Sequence, residues 1–157
     1  METCTPASTV SHARIRLTTG HPTEFIDLTE RLERLIADAG IRFGMLNVQT
    51  LHTTTAVVVN EHEPLLLVDF QTFLENTAPG DGRYRHDDTT TRTVNVTAEE
   101  RPNGHAHCRA LLLPASVCLN VISGRLRLGQ WQRVFLVELD GPREREVSAL
   151  VLGETAQ

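Results

Sequence analysis

The sequence predicts one α+β domain: a mostly antiparallel β-sheet with two main helices and one short helix. Two apolar stripes recur at helical spacing, around residues 25–39 and 64–77. Alternating or β-branched runs surround them, and the last four follow one another across tight turns, an order that favours antiparallel pairing over βαβ units. The chain has 157 residues, 40% hydrophobic and 22% charged. That suits a single domain, 1–157, able to bury a core without staples.

The elements follow in order. Residues 1–8 carry no pattern and are expected to fray. Residues 10–18 alternate as a strand. His21-Pro22-Thr23-Glu24 opens a helix, with proline in the first turn. Phe25, Leu28, Leu32, Leu35, Ile36 and Ala39 continue it, and Gly40 caps it. Residues 44–52 and 54–60 form two strands, joined by a hairpin or a bulged continuation. Pro64 opens a second helix over 64–77, with Leu66, Leu67, Phe70, Phe73 and Leu74 inward and Asp69 close to that stripe. Residues 78–104 are irregular, the length of a functional loop. A short helix over 104–113 stops at Pro114. Strands near 116–123, 125–129, 131–139 and 145–152 follow, turning at Ser123-Gly124 and at Asp140-Gly141-Pro142-Arg143.

Composition excludes several functions. The net charge is −5 and aromatic content is 4%, against both phosphate attraction and base stacking. Apolar runs fall short of the roughly 18 residues of a membrane span, and no leader is readable. Cys4, Cys108 and Cys118 are odd in number and show no CxxC spacing, which points to a reducing, cytoplasmic setting. Cys108 and Cys118 sit in apolar sequence and are expected as inert core residues.

The chemistry concentrates in His52-Thr53-Thr54-Thr55 with Asn60-Glu61 behind it, and in Asn103-Gly104-His105-Ala106-His107. Neutral imidazoles with carboxylates are metal ligands or acid–base groups. His52, His86, His105 and His107, with Glu61 and Asp69, are the candidates. On a strand His105 and His107 share a face; on a helix they diverge by about 200°. A helix start with solvated polar residues explains that pair equally well. Tyr84-Arg85-His86-Asp87 reads as a site loop or a solvated turn. Glu61 suits a ligand, a base or an orienter of an imidazole, and a turn exit suits it too. Asp69 beside an apolar stripe needs a partner or faces the site. Trp131 is a core anchor or a ligand contact. Arg143 and Arg145 hold an anion bidentately or form solvated salt bridges. No Walker loop, GxGxxG, HExxH or serine triad is present.

Together His52-Thr53-Thr54, Asn60-Glu61, Asp69, Tyr84-x-His86-Asp87, Ala106-His107, Leu128-Gly129-x-Trp131-Gln132 and Asp140-Gly141-Pro142-Arg143 resemble the YjbQ-like family, also labelled secondary thiamine-phosphate synthase. The resemblance spans about residues 10 to 153. It implies a compact α+β fold, a homotrimer, and a pocket near the histidines for metal ions or anions. It also implies a weak capacity to join a pyrimidine diphosphate to a thiazole phosphate.

On this resemblance His52, His86 and His107 match family histidines, and Glu61 and Asp69 its acids, whereas His105 has no fixed counterpart. Pro114 stands where members often carry glycine. The resulting assignment makes His52, His86 and His107 metal ligands and Glu61, Asp69 and His52 the candidate catalytic groups. Thr53, Asn60, Asn103, Trp131 and Arg143 contact a small phosphorylated molecule. A histidine-rich set suits Zn²⁺ or another first-row metal, with Mg²⁺ the choice of diphosphate chemistry. Metal-assisted hydrolysis, or metal or anion binding without catalysis, are the competing readings.

Overall fold

A computed structural model of the chain describes residues 8–155. Its order is β1 (Ser8–Thr18), β2 (Glu24–Asp27), α1 (Thr29–Ala39), β3 (Ile41–Thr50), β4 (Thr55–Glu61), α2 (Pro64–Thr77), α3 (Gly104–Leu111), β5 (Ser116–Ile122), β6 (Arg125–Leu126), β7 (Gln132–Glu138) and β8 (Glu144–Thr155). A single 3₁₀ turn, Arg85–Asp87, interrupts the long connection between α2 and α3. The predicted α+β class holds. The segment expected to fray lies outside the described residues over 1–7, and Ser8 already belongs to β1.

The strands form two sheets, ordered β1-β8-β3-β5-β6 and β2-β7-β4, and their pairs are antiparallel. The main core lies under the larger sheet and α1. Leu46 and Val48 of β3, Val147, Ala149 and Val151 of β8, and Leu32 and Ile36 of α1 are buried together. A smaller cluster of Phe135, Val137, Leu74 and Ala106 fixes α2 and α3 against β7.

The structure corrects four expectations. The first helix starts at Thr29, and Glu24–Asp27 is a strand. Thr23 takes a positive φ of 58°, and Glu24 turns its carboxylate back onto the N–H groups of Gly20 and His21. Phe25 and Ile26 then pair with Val137 and Leu136. Sheet pairing thus overrides a helical apolar period. Asp27, not the Pro22 turn, serves the helix start by accepting the Thr29 N–H at 2.8 Å. Gly40 caps α1 in the left-handed region as predicted, at φ 66°.

Second, β3 and β4 form no hairpin, because they belong to different sheets. Third, α2 spans the predicted residues but lies on the surface. Leu74 is buried, whereas Phe73 is 62% exposed, and Asp69 faces solvent. Its carboxylate needs no partner there. Cys108 and Cys118 are also exposed, on the outward sides of α3 and β5, so neither is a core residue.

Candidate functional site

The chain crosses between sheets at residues 51–54, and this crossing builds the site. Thr50 and Thr55 share a short hydroxyl–hydroxyl hydrogen bond that closes the turn. The His52 N–H donates to the Thr50 hydroxyl, and Thr55 donates to the His52 carbonyl. The His52 ring reaches across to β8, where Nε2 accepts the backbone N–H of Glu146 at 2.8 Å. A backbone N–H can only donate, so Nε2 is unprotonated and the neutral ring carries its proton on Nδ1. Burial, and then the charge of Arg145, push this imidazole below its ordinary pKa, which favours the neutral form.

Beneath the turn lies a buried ion pair. Glu138 is fully buried at the end of β7. Its carboxylate accepts Arg145 Nε and Nη2, each at 2.6 Å. It also accepts the Thr19 hydroxyl and the N–H groups of Leu139, Asp140 and Gly141. Burial alone would raise this carboxyl. The Arg145 hydrogen bond and the Asp140 and Gly141 N–H groups outweigh it and hold the pKa below the ordinary value. Arg145 also donates to the Thr54 hydroxyl at 3.1 Å. One buried pair thus ties the 51–54 turn to the 139–143 turn. Sequence reading missed Glu138, although a lone carboxylate inside Val134-Phe135-Leu136-Val137-Glu138-Leu139 was the available signal.

The third wall comes from the long connection and α3. Asp87 Oδ1 accepts the N–H groups of Asn103 and Gly104, at 2.9 and 2.8 Å, and so caps α3. A side chain at 104 would put Cβ 2.3 Å from Cβ of Tyr84, so only glycine lets the loop and helix meet. Within α3, His107 faces the cleft and His105 lies against Tyr84, ring centroids 6.3 Å apart. The helical divergence decides between the two histidines. His86 approaches His107 edge to face at 4.5 Å. Burial, and next the His86 neighbour, lower the His107 pKa. Asn103 Nδ2 points to Asp140 at 3.4 Å, and Asp140 holds Arg143 at 2.6 Å.

These groups surround one cleft of about 450 Å³, lined by His52, Thr53, His86, Asn103, His107 and Arg143 among others. Six predicted site residues therefore converge. Asn60, Glu61, Trp131 and Asp69 do not line it. His52 precedes the start of β4, whereas Asn60 and Glu61 end that strand, roughly 20 Å away. Trp131 sits beside Glu61, because Gln132 pairs with it, and is 64% exposed. Strand direction separates what sequence proximity grouped.

As arranged, the three histidines do not fit a metal. Among the described residues no three or more His, Cys, Asp or Glu side chains are grouped to hold an ion. His52 Nε2 is occupied and Nδ1 carries a proton. The Arg92 guanidinium lies within 3.0 Å of both His86 nitrogens while pairing with Glu100. That cation competes with a metal for the ring's one available lone pair.

A sequence model described as UPF0047 protein YjbQ-like matches residues 13–154. The chain belongs to this family. A UPF0047 protein of Methanothermobacter thermautotrophicus is 38% identical over 88% of this chain and 89% of its own length. One from Archaeoglobus fulgidus is 41% identical over 85% and 94%. A crystal structure of a YbjQ-like protein of unknown function from Sulfolobus solfataricus P2 superposes with a TM-score of 0.83. It is 33% identical and covers 94% of this chain and 100% of its own.

Proposed function

We propose that this YjbQ-like chain is an enzyme acting on a small phosphorylated molecule in the His52–His107 cleft, with transfer onto a second substrate as its reaction. The observation carrying this reading is the placement of a neutral imidazole, His107, in the same cleft as Arg143. Arg143 offers a planar fork to a phosphate. His107 is suited to accept or deliver a proton near neutral pH. His52, fixed as a donor at Nδ1, positions the 51–54 turn rather than acting as base.

The family resemblance narrows the reaction to thiamine-phosphate synthesis. There the C–O bond of the pyrimidine diphosphate breaks, its electron pair leaving with pyrophosphate, and the thiazole nitrogen supplies the pair for the new C–N bond. Leaving-group charge is what Arg143 is placed to meet. Plasmid-borne complementation of a thiamine-requiring strain lacking its synthase tests this. Growth supports the reading, and failure with soluble protein removes it.

The second reading is metal-assisted hydrolysis of a small phosphorylated or amide substrate. The 4.5 Å His86–His107 pair favours it. A divalent ion, zinc, another first-row metal or magnesium, would need Arg92 displaced from His86. Metal analysis of untagged protein tests this.

A homotrimer is part of the proposal. The outer face of the larger sheet lines up Val10, Leu152 and Met45 in one cross-strand row. All three are exposed apolar residues, suited to a partner copy. Analytical ultracentrifugation gives the mass. No helix among the described residues is long and apolar enough to cross a membrane.

A further inference from the structure

A second hollow, of about 430 Å³, opens at the opposite end of the smaller sheet, lined by Asp27, Glu30, Arg31, Arg34, His62 and Arg133. Asp27 organises it. Its Oδ1 is taken by the Thr29 N–H. Its Oδ2 meets Arg133 Nε at 2.6 Å and His62 Nδ1 at 3.2 Å. The carboxylate accepts, so His62 Nδ1 carries a proton and Nε2 is the nitrogen left for a ligand. The ring also packs edge-on against Phe135, centroids 5.3 Å apart, which fixes its plane.

The arginines of this hollow are unevenly paired. Both carboxylates face Arg133: Asp27 as above, and Glu30 at 3.7 Å from Nη2. Arg31 and Arg34, one helical turn apart on the outward side of α1, make no ion pair among the described residues. Arg133 thus takes both lining carboxylates, with Glu33 near enough to act on it as well, and Arg31 and Arg34 keep their guanidiniums unpaired. Two guanidiniums without carboxylate partners at the rim of a hollow can draw a small anion. Paired arginine forks suit phosphate oxygens. The oriented His62 Nε2 is placed to hydrogen-bond the same ligand.

We propose that this hollow is a second, separate site for a small phosphorylated anion, held by Arg31 and Arg34 with His62 as the polar contact. It shares no lining residue with the His107 cleft. The two sites therefore answer independently.

The test is a pyrophosphate titration of the full chain, followed by NMR of ¹³C-labelled histidine rings at fixed neutral pH. The His62 resonance is assigned with His62→Gln. Saturable movement of His62 is expected. Arg31→Glu with Arg34→Glu should weaken that response about tenfold or more while leaving the His107 response unchanged. Arg31→Ala with Arg34→Ala provides the milder pair if charge reversal perturbs the helix. A His62 resonance that stays still or drifts without saturation overturns the proposal. So does a saturable response that both arginine pairs leave intact. A response at His107 without one at His62 sinks this site and leaves the proposed function standing.

Discussion

His52 Nε2 accepts the backbone N–H of Glu146 at 2.8 Å, which joins the turn between the two sheets to the first residues of β8. This bond decides what His52 does. It makes the ring a proton donor at Nδ1 and ties it to the backbone before any ligand arrives. The protonation pattern is directly measurable. Long-range ¹⁵N–¹H spectra should show His52 as the Nδ1–H tautomer near neutral pH, and an Nε2–H pattern would contradict the assignment. His52→Ala leaves the Glu146 N–H without its partner and should cost about 1–3 kcal/mol in denaturant unfolding.

The Glu138–Arg145 pair predicts a sharper loss. Arg145→Met strands a fully buried carboxylate, and about 3–5 kcal/mol should disappear from the unfolding free energy. Glu138→Leu with Arg145→Met should recover part of it, since no charge is then left unpaired. The pH dependence follows from the depressed Glu138 pKa. A carboxyl lowered on folding stabilises above its unfolded value, here ordinarily 4.5. That stabilisation drains away as pH falls from there through the folded value. Acid titrations of wild type and the double variant should diverge above this window and converge below it.

His107 predicts the shape of an activity profile. Its imidazole lies below the ordinary 6.5, from burial first and His86 second. A reaction that uses neutral His107 as base should rise on an acid limb centred below 6.5 and stay level through neutrality, whereas the C–N bond formation alone, which moves no proton, should show no such limb. His107→Gln should lower kcat about 10²-fold or more. An unchanged kcat would remove His107 from the chemistry.

Gly104 tests how the loop meets α3. With Cβ placed 2.3 Å from Tyr84, Gly104→Ala must push the 84–87 turn away from the helix. A loss of about 1–3 kcal/mol is expected. Loosening of the Asp87 cap should show as faster amide exchange at residues 103 and 104.

Much of this was legible in the sequence, and the exceptions share a cause. Pro64 and the helical apolar run fixed α2, where Glu63 caps the first turn through the Leu65 and Leu66 N–H groups. His52, His86, His107 and Arg143 were readable because their motifs fall on turns and a helix start, where side chains project into a cleft. Local periodicity failed at 24–27, where Phe25 and Leu28 keep helical spacing but pairing with β7 decides. It failed for Asp69 because the apolar stripe of α2 is left largely uncovered. Glu61 and Trp131 were grouped with the cleft because nothing local says that β4 runs away from it. Asp27 and His62, 35 residues apart in the chain, meet only through the fold.

The central claim is that phosphate chemistry belongs to the cleft between His107 and Arg143. A crystal structure with pyrophosphate measures this most directly. The account predicts an anion bonded to the Arg143 guanidinium within reach of the His107 ring, and its loss in Arg143→Ala. Pyrophosphate absent from that cleft, with density confined to the Glu61 and Trp131 end of the molecule, would contradict it.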